Sequence, residues 1–295
     1  MSNIESGAEI SDPGRNCALG VHLAIDSLRV AEVVRGRITR WLSVPYPPGL
    51  HPGAAEFPAF LKERLAEFFT VLRHTAIWVV GPAPSLQVRF LSLPKVRPRQ
   101  VSNLAYWTFR KEIPFDAAQT VFDYDLEGGD PSIAGSAKKI DVTAYTVAQP
   151  EVDALVGLFG QAGIRVDGIL LPFFAMRNLF RNQPSGGRTE TAMGLYVGED
   201  SSSIMFLKGK TVVSHRLFKT GLNVVLDVVR DRHPEWTPAK AYHVIRAAIG
   251  AVPIGESAPE PLGAAEIDQI RQAVRAAFGR LIQQVERSMS AYLVG

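Results

Sequence analysis

Apolar positions along this chain follow two rhythms, and the switches between them mark the elements. The stretch L-G-V-H-L-A-I-D-S-L at 19–28 and the run Val30–Val34 flank an Asp-Ser turn, and Arg35-Gly36-Arg37 closes a second turn. That pattern predicts a β unit over about 18–46. After the loop Pro45–Gly53 the rhythm changes: Phe57, Phe60, Leu61, Leu65, Phe68, Phe69 and Leu72 recur at helical spacing, with Lys62, Glu63, Arg64 and Glu67 opposite. Ala76–Val80 reads as a short strand stopped by Gly81-Pro82. The order β-β-α-β is half of an α/β sandwich.

The next section has a different texture. Gln87–Leu93 alternates as a strand, and a helix over about 98–112 carries Val101, Leu104, Ala105, Trp107 and Phe109, with Trp107 and Phe109 expected in a core. Val121–Leu126 and Lys139–Val147 read as strands joined by the Gly/Ser/Asp-rich tip Glu127–Lys138. A helix at 150–162, a strand at 164–171 and a helix at 172–181, opened by Pro172, return the α/β pattern. Phe173 and Phe174 on that helix read first as core, with a place at a partner groove as the second reading. Asn182–Glu190 is the best linker in the chain.

Beyond it the opening repeats. M-G-L-Y-V-G-E-D-S-S at 193–202 lies 174 residues after L-G-V-H-L-A-I-D-S-L, with Gly194 for Gly20, Gly198 for Ala24 and Asp200-Ser201 for Asp26-Ser27. Ile204–Leu207 and the turn Lys208-Gly209-Lys210 repeat the second apolar run and its basic turn. Two such copies predict two related half-domains facing each other. Helices are expected at 221–232 and 237–250, then a Pro-rich loop, Val252–Pro261. The last expected helix, 263–293, carries an apolar stripe through Ile267, Ile270, Val274, Phe278, Leu281, Val285, Met289 and Tyr292.

Composition changes this picture little. Of 295 residues 46% are hydrophobic and 21% charged, enough for packed cores. With 32 basic against 29 acidic residues the surface is near-balanced, which argues against nucleic-acid binding. Cys17 is the only cysteine, so disulfide frameworks and thiolate metal sites are excluded. No apolar run reaches membrane-spanning length, and Met1–Asn16 is polar, which points to a cytoplasmic protein. Gly209-Lys210-Thr211 is not a phosphate loop, because Ile204 stands where an earlier glycine is required. The six histidines show no ligand spacing, so no metal site is expected. No Gly-x-Ser-x-Gly elbow is present. Lys95, Arg97 and Arg99 crowd a helix start, where positive charge is unfavourable; they read as solvated surface or as contacts for acidic headgroups or an acidic partner segment.

The duplicated opening, the hinge and the middle section together resemble the actin-like ATPase superfamily. L-S-L-P-K at 91–95, W-T-F-R-K-E-I-P-F at 107–115, V-F-D-Y-D-L at 121–126, A-G-I-R-V-D-G-I at 162–169 and R-V-A-E-V at 29–33 narrow the likeness. They are similar to the PilM-type assembly proteins of type IV pili, with the cytoplasmic part of the type II secretion L component as a cousin. The resemblance runs from about 18 to 293 and implies an α/β, actin-like (ribonuclease H-like) two-lobed fold. A tail at 1–17 would precede a first lobe at 18–86 and 148–183. A small α+β subdomain, similar to one in FtsA, would be inserted at 87–147. A hinge at 184–190 would lead to a second lobe at 191–295, whose C-terminal part is expected to be missing from this sequence. The resemblance also implies a cytoplasmic scaffold at the inner membrane that binds the N-terminal tail of a bitopic PilN-type partner beside the inserted subdomain. Contact with a pilus motor ATPase and self-association are further implied possibilities.

That superfamily holds nucleotide between two Asp-x-Gly-type turns, whose amides cradle phosphate and whose aspartates manage the metal. Laid on this pattern, Gly20, His22, Ala24 and Ser27 occupy the first turn, and Tyr196, Gly198, Asp200 and Ser201 the second. His22 and Tyr196 stand where the two aspartates belong, and Ala24 replaces a glycine. Gly221, in F-K-T-G, matches the glycine after the second β unit and reads as helix N-terminal geometry. The family continues past a Glu-x-x-Arg-Ser helix into a Gly-rich turn at the adenosine; here Glu286-Arg287-Ser288 is followed by only seven residues. The expectation is a degenerate site without ATP, magnesium or catalytic residues. The alternatives are an active ATPase using displaced carboxylates such as Asp200, and a secretion L-type component contacting a secretion ATPase.

Overall fold

The computed structural model describes residues 17–69, 75–81, 83–127, 139–182, 191–199, 201–209, 211–249 and 263–294. Residues 1–16 of the expected tail 1–17, residues 128–138 of the expected tip 127–138, the hinge 184–190, the loop 252–261, Asp200 and Lys210 lie outside the described residues, whereas Cys17 and Glu127 belong to strands rather than to tail and tip.

Alternation of side chains across a pleated strand explains the first sheet. β1 (Cys17–Leu23), β2 (Ser27–Val34) and β3 (Arg37–Pro45) form an antiparallel meander, and β4 (Ala76–Val80) pairs parallel to β1 after α1 (Phe57–Phe69) crosses over. Leu19, Val21, Leu28 and Val30 point to one face and pack with Phe57, Leu61 and Leu65 of α1. Each such side chain contributes roughly 1.5–3 kcal/mol on burial. The chain then leaves this sheet for β5 (Gln87–Pro94), α2 (Pro98–Glu112), β6 (Thr120–Glu127) and β7 (Lys139–Ala148), which build a separate sheet of order β5-β7-β6. Its core is Leu91, Leu93, Val101, Phe109 and Val142. Phe109 is fully buried, but Trp107, two residues away on α2, points outward and is 51% exposed, contrary to the expectation of a core residue. Two residues on a helix differ by about 200°, so both cannot face one sheet.

α3 (Gln149–Gln161) returns to the first sheet, and β8 (Gly168–Ile169) completes its order β3-β2-β1-β4-β8. The expected strand 164–171 is thus cut to two residues. Ile164 packs instead into the α1–α3 core, and the Trp78 ring lies over Gly168, where a Cβ would fall 2.4 Å from it. α4 (Pro172–Asn182) follows.

The second half opens with β9 (Thr191–Val197), β10 (Ser202–Lys208) and β11 (Thr211–Phe218), a sheet of order β11-β10-β9. α5 (Asn223–Arg232) and α6 (Pro238–Ala248) are shorter than expected: Gly221 lies outside α5, and the Thr237 hydroxyl caps α6 by accepting from the Lys240 amide at 3.2 Å. α7 (Ala264–Val294) uses its stripe twice. Ile270 and Ala277 pack on α5 and α6, whereas Leu281 joins Ile204 and Phe206 of β10. Tyr292 stacks on Phe206 with ring centroids 4.4 Å apart. No helix among the described residues is long and apolar enough to cross a membrane.

Candidate functional site

β1 and β9 end in matching turns. The Ala24 amide donates to the Ser27 carbonyl at 3.0 Å, and the Gly198 amide donates to the Ser201 carbonyl at the same distance. His22 sits on β1 opposite Arg29, and Tyr196 on β9 opposite Ser203. The structure brings His22, Tyr196, Gly198 and Ser201 to the wall of one cavity of about 40 Å³, together with Glu199 and Pro172. That volume accepts a few water molecules. Gly20, Ala24 and Ser27 belong to the same hairpin but do not line the cavity. Asp200 lies outside the described residues.

Gly221 does more than begin a helix. A Cβ there would lie 2.1 Å from the Glu199 carbonyl oxygen and 2.7 Å from that of Gly198, so the second turn rests directly on its backbone. The contact is sealed by the Leu222 and Asn223 amides, which donate to the Gly198 and Glu199 carbonyls at 2.9 Å each. The Ser202 hydroxyl donates to the Thr220 carbonyl at 2.6 Å. Helix N-terminal amides of this kind bind anions when they are free. Here two of them are occupied by the turn itself.

The first turn reaches across the cleft. Asp26 at its tip accepts from Arg246 Nη1 of α6 at 3.1 Å, and Arg29 Nη2 lies 3.8 Å from the same carboxylate. Ile25, partly buried, packs against the apolar cluster of α5, α6 and α7, so a residue of the first half touches the core of the second. The Arg246 guanidinium lies 5.5 Å from the Tyr242 ring centre. Burial, assisted by the charge of Arg29, lowers the His22 imidazole to about 4 and keeps it neutral. Burial also raises the Tyr46 hydroxyl above its ordinary value, and the charges of Glu199 and Asp26 push the same way. The Tyr46 oxygen is buried without a hydrogen-bond partner among the described residues.

Among the described residues, neither position matched to a metal-holding aspartate carries a carboxylate, although Glu199 lines the cavity. A neutral imidazole and a phenol stand where carboxylates would hold the metal and its waters, and Asp26 is already compensated by Arg246. Among the described residues no group of three or more His, Cys, Asp or Glu is placed to hold a metal ion.

Phe173 and Phe174, weighed as partner-groove residues, are only 3% and 4% exposed. They pack with Met205, Leu207 and Val212 of the second sheet, which leaves no ring face for a partner. Sequence reading also passed over Arg177 on α4. It is buried and bonds Glu127 at 3.0 Å and Asp125, both on β6, while Glu127 also accepts from the Thr143 hydroxyl at 2.8 Å. A lone arginine inside P-F-F-A-M-R-N-L-F was the one signal for a buried charge. Arg246 carried no comparable signal, because its partner is 220 residues away.

No protein-family model matches this chain, and no curated protein matches it. Solved structures do. A PilM–PilN type IV pilus biogenesis complex superposes with a TM-score of 0.67 at 19% identity, over 94% of this chain and 77% of that one. The cytoplasmic domain of EpsL, an inner-membrane component of the type II secretion system of Vibrio cholerae, gives 0.40 at 14% identity, over 88% and 95%. MreB 5 of Spiroplasma citri bound to AMPPNP gives 0.39 at 10% identity, over 93% and 79%. The fold of this chain is therefore the one seen in the PilM–PilN structure, and the PilM-type likeness read in the sequence is met at the level of the fold.

Proposed function

We propose that this chain is a PilM-type scaffold of a type IV pilus or related secretion machine, working without nucleotide. It would sit at the cytoplasmic side of the inner membrane and hold the tail of a bitopic PilN-type protein there. One observation carries the nucleotide-independent part: the turn that should cradle phosphate is instead docked on the opposite half, through Asp26 on Arg246 and Ile25 in the helical cluster. In an actin-like protein a ligand between the halves biases their closure. Here protein contacts take over that task, which suits a part that must hold one shape. The inserted sheet, clamped to α4 by Arg177, supplies a rigid neighbour for a tail. Extended peptides gain affinity there by strand pairing and selectivity through alternate side-chain pockets. The motor ATPase and self-association remain secondary proposals under the same reading.

Titration calorimetry separates the two parts of the proposal. Mg-ATP should give no binding heat, while a peptide copying the cytoplasmic N-terminal tail of the host's PilN-type protein should bind saturably. Saturable Mg-ATP binding at micromolar concentration would overturn nucleotide independence; a silent peptide titration would overturn the scaffold role.

A further inference from the structure

The inserted sheet belongs to neither copy of the repeat, so the repeat assigns no covering element to its outer surface. Its strands pair only with one another. α2 covers one side of it through Val101, Ala105 and Phe109, which pack on Leu91, Leu93 and Val142. At about 100° per residue these three point about 120–160° away from Trp107. The outward side of the helix has Trp107 at its centre, with Arg99, Arg110 and Lys111 within about 80° of it and Gln100 and Asn103 between them. All six are exposed except Arg110, which is half-buried.

The charge on this side has one sign, although the chain as a whole is near-balanced. Residues 95–111 contain five basic side chains and no acidic one. Glu112, the next along, is turned about 140° from Trp107 and pairs with Arg89 of β5 at 3.5 Å. Arg99 and Lys111 pair with no carboxylate among the described residues. Two of the five, Arg97 and Arg99, stand at the helix start, where the helix field opposes positive charge and no acidic residue of the first turn offsets it. The Arg110 guanidinium lies 5.6 Å from the Trp107 ring centre, so ring and charge are held side by side.

Side chains along one side of a helix stand in a row and reach a flat surface together; Arg99 to Lys111 covers about 18 Å of helix. A bilayer offers such a surface. Its anionic headgroups attract each nearby Lys and Arg, and the headgroup layer is where a tryptophan ring settles. Protein interfaces, by contrast, are poor in lysine and close around an aromatic anchor, and the cavities at the interlobe turns and at α5–α7 are not lined by α2. We propose that the outward side of α2, through Trp107, Arg99, Arg110 and Lys111, docks the chain on an anionic lipid bilayer. The contact is peripheral, with the ring at headgroup level and the charges around it. It stands apart from the PilM-type reading, because lipid alone is the partner.

Vesicle co-sedimentation of the full chain is the test. Phosphatidylcholine vesicles with about 30% phosphatidylserine should retain the protein at low salt, pure phosphatidylcholine vesicles should not, and about 0.5 M salt should release it. Trp107→Ala and the pair Arg99→Glu, Lys111→Glu should each weaken binding at least about fivefold. Trp41→Ala, which removes the exposed ring of β3, should leave it unchanged. Tryptophan emission should shift to the blue on vesicles in the parent and not in Trp107→Ala. The substituted positions are on the surface, so melting curves of the variants should match the parent. Vesicle binding that is absent, that ignores phosphatidylserine, or that survives either α2 variant overturns the proposal. So does a soluble glutamate-rich peptide that binds the parent and is lost with Trp107→Ala while vesicles stay unbound, since the face would then serve an acidic protein segment.

Discussion

His22 and His215 are the residues in which burial has changed chemistry most. Burial lowers His22 to about 4 and His215 to about 3, from an ordinary value of 6.5. Between pH 6.5 and 4 the unfolded chain therefore binds protons that the folded chain refuses, so stability falls as pH falls through that window and is complete above it. A difference of one pH unit between the folded and unfolded pKa is worth about 1.4 kcal/mol, so melting temperature should drop by several degrees across the window. His22→Gln should flatten the slope; a profile as steep as the parent's would place the effect elsewhere. At Gly221 the expectation is steric. Gly221→Ala sets a methyl carbon 2.1 Å from a carbonyl oxygen, and denaturant unfolding should show a loss of about 1–3 kcal/mol. The sequence marked Gly221 as a helix start because only its neighbours along the chain were visible. Its true constraint comes from the turn at 198–199, brought there by folding. The positions of His22 and Tyr196 at the cleft were legible, since a repeat carries its own register.

Elements were legible where periodicity and punctuation agreed. The hairpins, α1, α2 and α7 follow from spacing alone, because their apolar faces are determined by one neighbouring layer. β8 was overread because an apolar run says nothing of whether a partner strand continues beside it; Trp78 pairs with Gly168 and Val79 with Ile169, and the ladder ends there. Side-chain clamps between elements were invisible for the same reason. Glu32 on β2 receives Arg40 Nε and Nη2 at 3.0 Å each, and Arg40 also donates to the Glu67 carbonyl of α1, which fastens the edge strand β3 to the layer beneath. Arg177 fastens the inserted sheet to α4 in a drier setting, at 4% side-chain exposure. Arg177→Ala leaves Glu127 buried without its counter-charge and should cost about 3–5 kcal/mol by chemical denaturation. Replacing Arg177, Asp125 and Glu127 together by Met, Asn and Gln should cost less than the single change. If the triple variant is the weaker one, the cluster stabilises the fold by more than mutual neutralisation.

At the scale of the whole molecule, the tip of one hairpin bridges the cleft between the two halves. Asp26–Arg246 is an ion pair with side-chain exposures of 12% and 14%, and Ile25 adds an apolar anchor beside it. Arg246→Ala and Asp26→Ala should each loosen the halves, seen as a larger radius of gyration by small-angle scattering, and their effects on stability should be strongly non-additive in a double-mutant cycle. An unchanged radius in both variants would mean that apolar packing alone sets closure. The chain order of the sheets has a further consequence during synthesis. Strands β5, β6 and β7 are contiguous in sequence and pair only with one another, so residues 87–148 can close as a unit while the rest is still emerging. The five-stranded sheet cannot be completed until Gly168 and Ile169 have left the ribosome, because its outermost strand is translated last. The nascent inserted sheet would then wait, already built, with Asp125 and Glu127 wet and uncompensated until Arg177 arrives to dock it.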